Sequence, residues 1–278
     1  MIIWIASYPK SGNTYVRSFL SSYYYSKKGK FDFKLLLNIK QFPALTYSSK
    51  KSYTFLDAAS NWIPNQKIHF KKDQFYFLKT HNSLEEYFGN KFTTSSETAG
   101  AIYITRDPRN VISSMCNHYS LDLDKAYAKM IDKNSSLSFK TADEDYSNFT
   151  FLGTWSNHYW SWKNNMNFKT LIIRYEDLRD NTFEEFKKIL NFVEDLKGTN
   201  NDINEEKMIN SINSTNFSNL KNQEKIYGFG ESAVSKDGKM INFFNLGFNN
   251  RWEKLLPKEI SDKIKNQFMN ELKDLKYE

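Results

Sequence analysis

A short polar loop near the start of the chain has the composition of an anion-binding site. It follows the apolar run 2–6 and precedes a helix-like stretch, so it links a buried strand to a helix. Such a turn directs several backbone N–H groups at one point, and the helix start adds partial positive charge. Gly12 lets the backbone approach a ligand closely. The polar donors of the loop are Lys10, Ser11, Asn13 and Thr14.

The loop differs from the usual nucleoside-triphosphate loop. In that motif a lysine directly follows the second glycine, whereas Lys10 lies two positions before Gly12, the only glycine of this loop. No acidic strand end stands out as a magnesium ligand. For the loop taken alone, a tight strand-to-helix turn with a solvated lysine is the alternative interpretation.

Two residues that follow the second apolar run could perform proton transfer. Lys79 and His81 are two positions apart, and residues i and i+2 share a face in a strand. Nearby positive charge favours the neutral form of histidine, which can accept a proton from an alcohol. The alternative for His81 is a surface or hydrogen-bonding histidine. The other three histidines of the chain show no metal-ligand spacing; they are His69, His118 and His158.

An arginine and a serine at the third strand end could bind a phosphate. Arg106 and Ser114 are eight positions apart, and the second lies on the helix that follows. Both can reach one phosphate only if the chain folds back after the strand. Pro108 makes this turn plausible because its ring fixes φ.

Alternation of apolar runs and helical patterns predicts the fold. We expect an α/β protein with a P-loop-like open parallel sheet of about four or five strands, flanked by helices, in one domain of residues 1–278. Ligands of such sheets bind beyond the carboxyl ends of the strands, so the polar clusters should converge there. Residues 120–150 are predicted to form a mobile loop and 194–242 a flexible stretch. The predicted strands are 2–6, 75–78, 101–105 and 170–173.

The overall composition favours an anionic ligand. The chain has 278 residues and a net charge of +7, which suits phosphate-bearing ligands, acidic substrates or nucleic acid, although a lysine-rich surface also explains the excess. Cys116 is the single cysteine, which indicates a reducing compartment. No signal peptide is recognised and no apolar run approaches about 18 residues, so we expect a cytoplasmic protein without a membrane span.

The ordered motifs resemble those of sulfotransferases that use 3′-phosphoadenosine 5′-phosphosulfate (PAPS). Residues 8–14 are similar to that family's 5′-phosphosulfate loop, Tyr-Pro-Lys-Ser-Gly-Thr-Thr. Residues 102–114 resemble its 3′-phosphate motif, with the same spacing of arginine and serine. The other similar segments, in the family's order, are 79–82 with the histidine, 175–178, and the pair Gly247 and Trp252.

This resemblance implies transfer of a sulfuryl group from PAPS to a hydroxyl or amine of a small molecule, without a required metal. His81 would be the general base. Lys10 would stabilise the leaving phosphate and Lys79 the transferring sulfonate. The implied partner is a small-molecule acceptor, and neither a nucleic acid nor a membrane is expected as a partner. The donor-binding residues would be Lys10, Ser11, Gly12, Asn13, Thr14, Tyr15, Arg106, Ser114, Tyr175 and Gly247, with Arg251 as an added candidate.

Three departures from the family pattern concern donor binding. Asn13 replaces a threonine but still offers a donor, and Tyr15 replaces a tryptophan that could stack on adenine. The family's Arg-Lys-Gly is Asn-Leu-Gly at 245–247, so two expected cations are missing. We therefore expect weaker donor binding or a differently built 3′-phosphate pocket. Candidate substitutes are Arg251, Lys236 and Lys239.

Other functions remain open from the sequence. A P-loop kinase of related fold would depend on magnesium. A nucleic-acid or polyanion binder would use the charge and the aromatic, basic segment 25–74. A non-catalytic member of the fold would account for the missing cations. The acceptor should contact segments 25–74, 120–150 and 220–242. The aromatic residues that could line its pocket or belong to the core are Tyr23, Tyr24, Tyr25, Phe31, Phe42 and Tyr47.

Overall fold

The protein is described by a computed structural model that covers residues 1–138, 143–199, 202–235 and 237–278. Within these residues the strands are β1 (Ile2–Ser7), β2 (Tyr76–Thr80), β3 (Thr98–Thr105), β4 (Ser136–Leu137), β5 (Thr150–Phe151), β6 (Lys169–Arg174), β7 (Ala233–Val234) and β8 (Met240–Ile241). The helices are α1 (Asn13–Tyr25), α2 (Phe55–Ser60), α3 (Trp62–His69), α4 (Pro108–Tyr119), α5 (Leu123–Ile131), α6 (Trp155–Lys163), α7 (Tyr175–Asp180), α8 (Thr182–Lys197), α9 (Glu205–Ser214), α10 (Phe217–Tyr227), α11 (Trp252–Leu255), α12 (Lys258–Gln267) and α13 (Met269–Asp274).

The central sheet of the described residues is parallel, with strand order β2-β1-β3-β6. Every residue of β1 is buried, because helices cover both faces of the sheet. Side chains alternate between the two faces along each strand: Ile3 and Ile5 pack in one apolar cluster, and Trp4 packs in the other. The predicted open α/β sheet flanked by helices is therefore confirmed.

Two helical layers enclose this sheet. On one face the buried side chains come mainly from α1 and α8: Val16, Phe19, Leu20, Phe186, Ile189, Leu190 and Val193. On the other face lie large aromatic side chains, among them Trp62, Trp155 and Trp162. These layers hold the ends of β1, β2 and β3 at one edge of the sheet, where their polar residues meet.

Helices occupy much of the sequence that we expected to be irregular. The segment 120–150 contains α5, and 194–242 contains the end of α8 with α9 and α10; residues 139–142, 200–201 and 236 of these segments lie outside the described residues. Polar residues cap these helices, since side-chain oxygens of Asp122, Asn204 and Asn216 accept bonds from backbone N–H groups. Two of the asparagines in this polar sequence thus act as N-caps of helices. No helix among the described residues is long and apolar enough to cross a membrane.

We expect the centre of the sheet to dominate stability. Ile102 on β3 is fully buried, so Ile102→Ala should lower the free energy of unfolding by about 2–5 kcal/mol through lost packing and a residual cavity. Ile68 on α3 is 62% exposed, and Ile68→Ala should change it by less than about 0.5 kcal/mol. Urea denaturation monitored by circular dichroism measures both values. Equal losses in the two variants would contradict this assignment of the core.

Candidate active site

The loop between β1 and α1 forms one wall of a cavity of about 460 Å³. Two of its residues have left-handed backbone conformations, Lys10 with φ 68° and Gly12 with φ 101°. Gly12 is also the N-cap of α1, and no side chain caps that helix. The first N–H groups of a helix have no acceptor within the helix, so the start of α1 supplies donors to the cavity.

Close packing explains why position 12 is a glycine. A Cβ atom built on Gly12 would lie 2.3 Å from ring atom Cδ2 of Tyr175. The same tyrosine ring lies 4.5 Å from the guanidinium carbon of Arg106. Tyr175 therefore packs between the anion loop and the arginine, and a side chain at residue 12 would separate them.

Arg106 and Ser114 both line this cavity, so the chain folds back after β3 as the proline suggested. Pro108 is the first residue of α4, and the Asp107 side chain caps the helix by accepting from the backbone N–H of Arg109. Arg106 is buried and its Nη1 donates to the Lys10 carbonyl oxygen at 3.3 Å. Its buried Nε atom has no hydrogen-bond partner within the described residues. An anion could complete the bonding of this guanidinium.

His81 lines the cavity and has one unprotonated ring nitrogen. Its Nδ1 lies 2.8 Å from the carbonyl oxygen of Ser7. A carbonyl only accepts, so Nδ1 carries the proton and donates, which leaves Nε2 with a free lone pair. Burial, followed by the positive charge of Lys79, lowers the pKa of His81 to about 3. The imidazole is therefore neutral near neutral pH, as a general base must be.

A second histidine supports the first from behind. His158 is fully buried, and its Nε2 donates to the backbone carbonyl of His81 at 3.0 Å. The hydroxyl of Tyr103 donates to Nδ1 of His158 at 2.9 Å. This pair fixes the backbone at the end of β2. This role of His158 was not predictable from the sequence, because nothing in its spacing links it to His81.

Two lysines bring positive charge to the edge of the sheet. Burial lowers the pKa of Lys10 to about 7; Glu231 opposes this shift, and Lys79 and Arg106 add to it. The Lys10 ammonium lies 4.0 Å from the ring centroid of Phe243. Lys79 is also buried, and burial lowers its pKa. Both lysines line the cavity with His81, as the sequence predicted for converging strand ends.

A carboxylate that the sequence analysis missed lies among these cations. Glu231 contacts the guanidinium of Arg17 at 2.7 Å and the ammonium of Lys79 at 3.1 Å. It also accepts a hydrogen bond from the Thr14 hydroxyl at 3.1 Å. Burial would raise the pKa of its carboxyl, but Lys79 and Arg17 hold that pKa well below its usual range. Glu231 is therefore an anion bound in the predicted anion site.

Aromatic rings line another part of the cavity. Tyr15 and Tyr175 contact the ring of Phe248, with centroids 6.2 Å and 5.5 Å away. Gly247 lies beside them, and a Cβ on it would meet the ring of Phe217 at 2.5 Å. These residues offer the apolar surface that a flat ring system requires.

The remaining predicted residues differ from those above in their hydrogen bonds or exposure; they are Asn13, Ser11 and Arg251. Both amide hydrogens of Asn13 are used inside the protein, by the Ile5 carbonyl at 2.9 Å and the Ser7 hydroxyl at 3.3 Å. Ser11 is fully buried, and its hydroxyl has no partner within the described residues. Arg251 is exposed and does not line the cavity.

The candidate Lys239 for the missing cations, and the aromatic candidates for the acceptor pocket, do not line the cavity. Lys239 is exposed, and Lys236 lies outside the described residues. Phe42 and Phe31 are buried in apolar clusters, which is the core alternative, and Tyr23, Tyr24 and Tyr47 pack against such clusters.

The bonding of His81 predicts an imidazole that does not titrate. A histidine of ordinary pKa changes charge between about pH 5 and 8. Because the pKa of His81 is lowered to about 3, its ring nitrogen shifts should stay constant in that range and report a proton on Nδ1. Nitrogen-15 NMR of labelled protein measures this, and His81→Asn assigns the signal. A ring that gains a proton near pH 6.5 would contradict the geometry.

Comparison with known proteins agrees with this arrangement. The model of the sulfotransferase domain family matches residues 2–276. An amine sulfotransferase of Oryctolagus cuniculus is 22% identical over 280 residues, which cover 98% of this chain and 81% of that protein.

Solved structures show the same fold. The crystal structure of mouse sulfotransferase SULT7A1 complexed with PAP has a TM-score of 0.55 at 18% identity and covers 98% of this chain and 83% of its own. Retinol dehydratase in a complex with retinol and PAP has a TM-score of 0.60 at 16% identity, with 98% and 81% covered. The family match extends along nearly the whole chain, and the cavity lies at the carboxyl edge of the sheet. The chain therefore belongs to the sulfotransferase domain family.

Proposed function

We propose that this protein transfers a sulfuryl group from PAPS to a hydroxyl or amine of a small molecule. The observation that carries the proposal is the neutral imidazole of His81, which lines the cavity with Lys10 and Lys79 and whose Nδ1 proton is held by the Ser7 carbonyl. A base for the acceptor and cations for a leaving anion are thus held in one site. Family membership favours this function over phosphoryl transfer or nucleic-acid binding.

An unpartnered polar atom of the site fits a donor that carries a 3′-phosphate. The hydroxyl of Ser11 and Nε of Arg106 are buried and lack partners within the described residues. Arg106 lines the cavity at the place where the family pattern puts the 3′-phosphate, whereas Ser11 belongs to the 5′-phosphosulfate loop but does not line the cavity. Since buried polar groups normally have partners, the free Nε of Arg106 supports an anionic ligand at its place.

Each polar residue has a defined task in this proposal. The bound donor supplies an activated sulfuryl group. Lys10 and the start of α1 stabilise negative charge on the 5′-phosphate, and Lys79 does so for the sulfonate. Nε2 of His81 accepts the proton of the acceptor hydroxyl, and the Ser7 carbonyl stabilises the resulting imidazolium through Nδ1.

The 3′-phosphate end would be built with fewer cations than the family pattern provides. Arg106 and Ser114 are the polar candidates in the cavity lining, and Asn245 and Leu246 occupy the positions of the missing cations there. Arg251 is a further candidate whose exposed side chain would have to turn toward the cavity. A site with one buried arginine would still select a phosphate through charge-assisted hydrogen bonds.

The acceptor is proposed to be an apolar small molecule with a hydroxyl or amine group. Beside Phe243, the cavity is lined by His118, Tyr119 and Leu137, which are mainly apolar or aromatic. Retinol and androsterone, both apolar alcohols, are present in the retinol dehydratase complexes. The free thiol of Cys116 agrees with a cytoplasmic location, which we also propose.

Activity measurements test the assigned roles. His81→Asn keeps a donor for the Ser7 carbonyl but removes the base, so it should lower kcat by about 10²–10⁴-fold with little change in nucleotide affinity. Lys10→Ala should lower both kcat and the affinity for the nucleotide. Transfer of labelled sulfuryl from PAPS to a panel of phenols, alcohols and amines measures kcat. The exposed His69 provides the control variant His69→Asn, and full activity in His81→Asn would refute the mechanism.

Nucleotide affinities test the 3′-phosphate assignment. Arg106→Ala should weaken binding of adenosine 3′,5′-bisphosphate (PAP) by about tenfold or more, and binding of AMP much less, because AMP lacks the 3′-phosphate. The exposed Arg251 should contribute less, so we expect only a few-fold loss in Arg251→Ala. Isothermal titration calorimetry measures these affinities. Equal weakening of both nucleotides by Arg106→Ala would argue against this phosphate site.

A further inference from the structure

Glu231 holds the groups that the donor would need. One of its carboxylate oxygens spans Arg17 and Lys79, and the other accepts from Thr14. Thr14 belongs to the anion-binding loop, and Lys79 is the proposed partner of the sulfonate. The carboxylate therefore satisfies the same cation and hydroxyl that an incoming sulfonate and phosphate would contact.

The backbone next to this carboxylate contains a glycine that can rotate. Glu231 lies between α10 and β7, directly after Gly230. A Cβ atom built on Gly230 would meet nothing within 4 Å, whereas the preceding Phe229 packs against Phe33, Phe243 and Phe244. The side chain of Glu231 remains 27% exposed and lines the cavity. Rotation about the backbone of Gly230 would withdraw the carboxylate and leave the Phe229 ring in place.

Fixed contacts border the movable segment. The carboxylate of Glu224 on α10 accepts from the Ser232 hydroxyl at 2.5 Å and from the backbone N–H groups of Phe243 and Phe244 at 2.6 Å and 2.9 Å. Glu224 is buried, so these contacts anchor the chain on the far side of Glu231. Residues 230 and 231 can therefore move while Phe229 and the wall of the cavity at Phe243 stay in place.

We propose that Glu231 is an internal competitor of the donor's sulfonate and weakens the binding of the product PAP; this rests on the proposed function. Glu231 gives up Lys79 when the sulfonate is present. Once the sulfonate has left on the acceptor, Glu231 returns to Lys79 and places a negative charge near the 5′-phosphate of PAP. Like charges at short range in a buried site repel, so the return of Glu231 weakens PAP binding and favours its release.

The experiment compares PAP binding to the wild-type protein, Glu231→Gln and Glu206→Gln by isothermal titration calorimetry. Gln keeps the shape of the side chain but removes the charge, so PAP should bind about tenfold or more tightly. Glu206 is exposed on α9, away from the cavity, and Glu206→Gln should leave the affinity unchanged.

Each outcome decides a separate point. Unchanged or weaker PAP binding to Glu231→Gln, with measurable binding to the wild type, overturns the competitor role but not the proposed function. Absence of PAP binding to all three proteins overturns both. Tighter binding to Glu231→Gln supports both.

Hydrogen–deuterium exchange of the wild-type protein provides a measurement that does not depend on folding of the variant. Peptides that cover 228–235 should exchange faster with PAPS bound than with PAP bound, because only the sulfonate displaces Glu231. Equal exchange in the two complexes, or slower exchange with PAPS, overturns the proposal.

Discussion

Burial of several cations at one edge of a parallel sheet is the constraint on which this structure depends. Lys79, Arg17 and Arg106 are nearly inaccessible, and Lys10 is held against an aromatic ring. A buried charge is unfavourable unless it is paired, so the edge requires an anion. The fold supplies one in Glu231, and Nε of Arg106 has no hydrogen-bond partner within the described residues.

The positive charge at this edge also keeps the imidazole of His81 neutral. Burial and the charge of Lys79 both disfavour a second proton on the ring. In the proposed mechanism, anion binding and proton acceptance are therefore coupled through one lysine. The hydrogen bond to the Ser7 carbonyl then decides which nitrogen of His81 carries the proton, and the bond from His158 holds the His81 backbone. The arrangement separates orientation, which comes from neutral hydrogen bonds, from charge, which comes from the lysines.

Local patterns made the sheet and half of the site predictable. Gly12, His81 and Arg106 follow strand ends, and Ser114 lies on the helix after the third of them, so the chain order itself brings them together. Glu231 could not be found in this way, since its partner Thr14 is 217 positions away and no periodicity connects them. The helices α9 and α10 were also missed, because polar composition suggested flexibility while the decisive features were single capping residues and a few buried contacts.

One packing contact restricts how this loop can diversify. The ring of Tyr175 fills the space that a side chain on Gly12 would need, and it also rests against Arg106. The first loop, the end of β3 and the end of β6 are thus joined by one aromatic ring, although they are far apart along the chain. In lineages that descend from this chain, residues 12 and 175 must therefore change together. A side chain at position 12 fits only where the residue at position 175 is smaller than tyrosine, and Arg106 then loses the ring against which it packs.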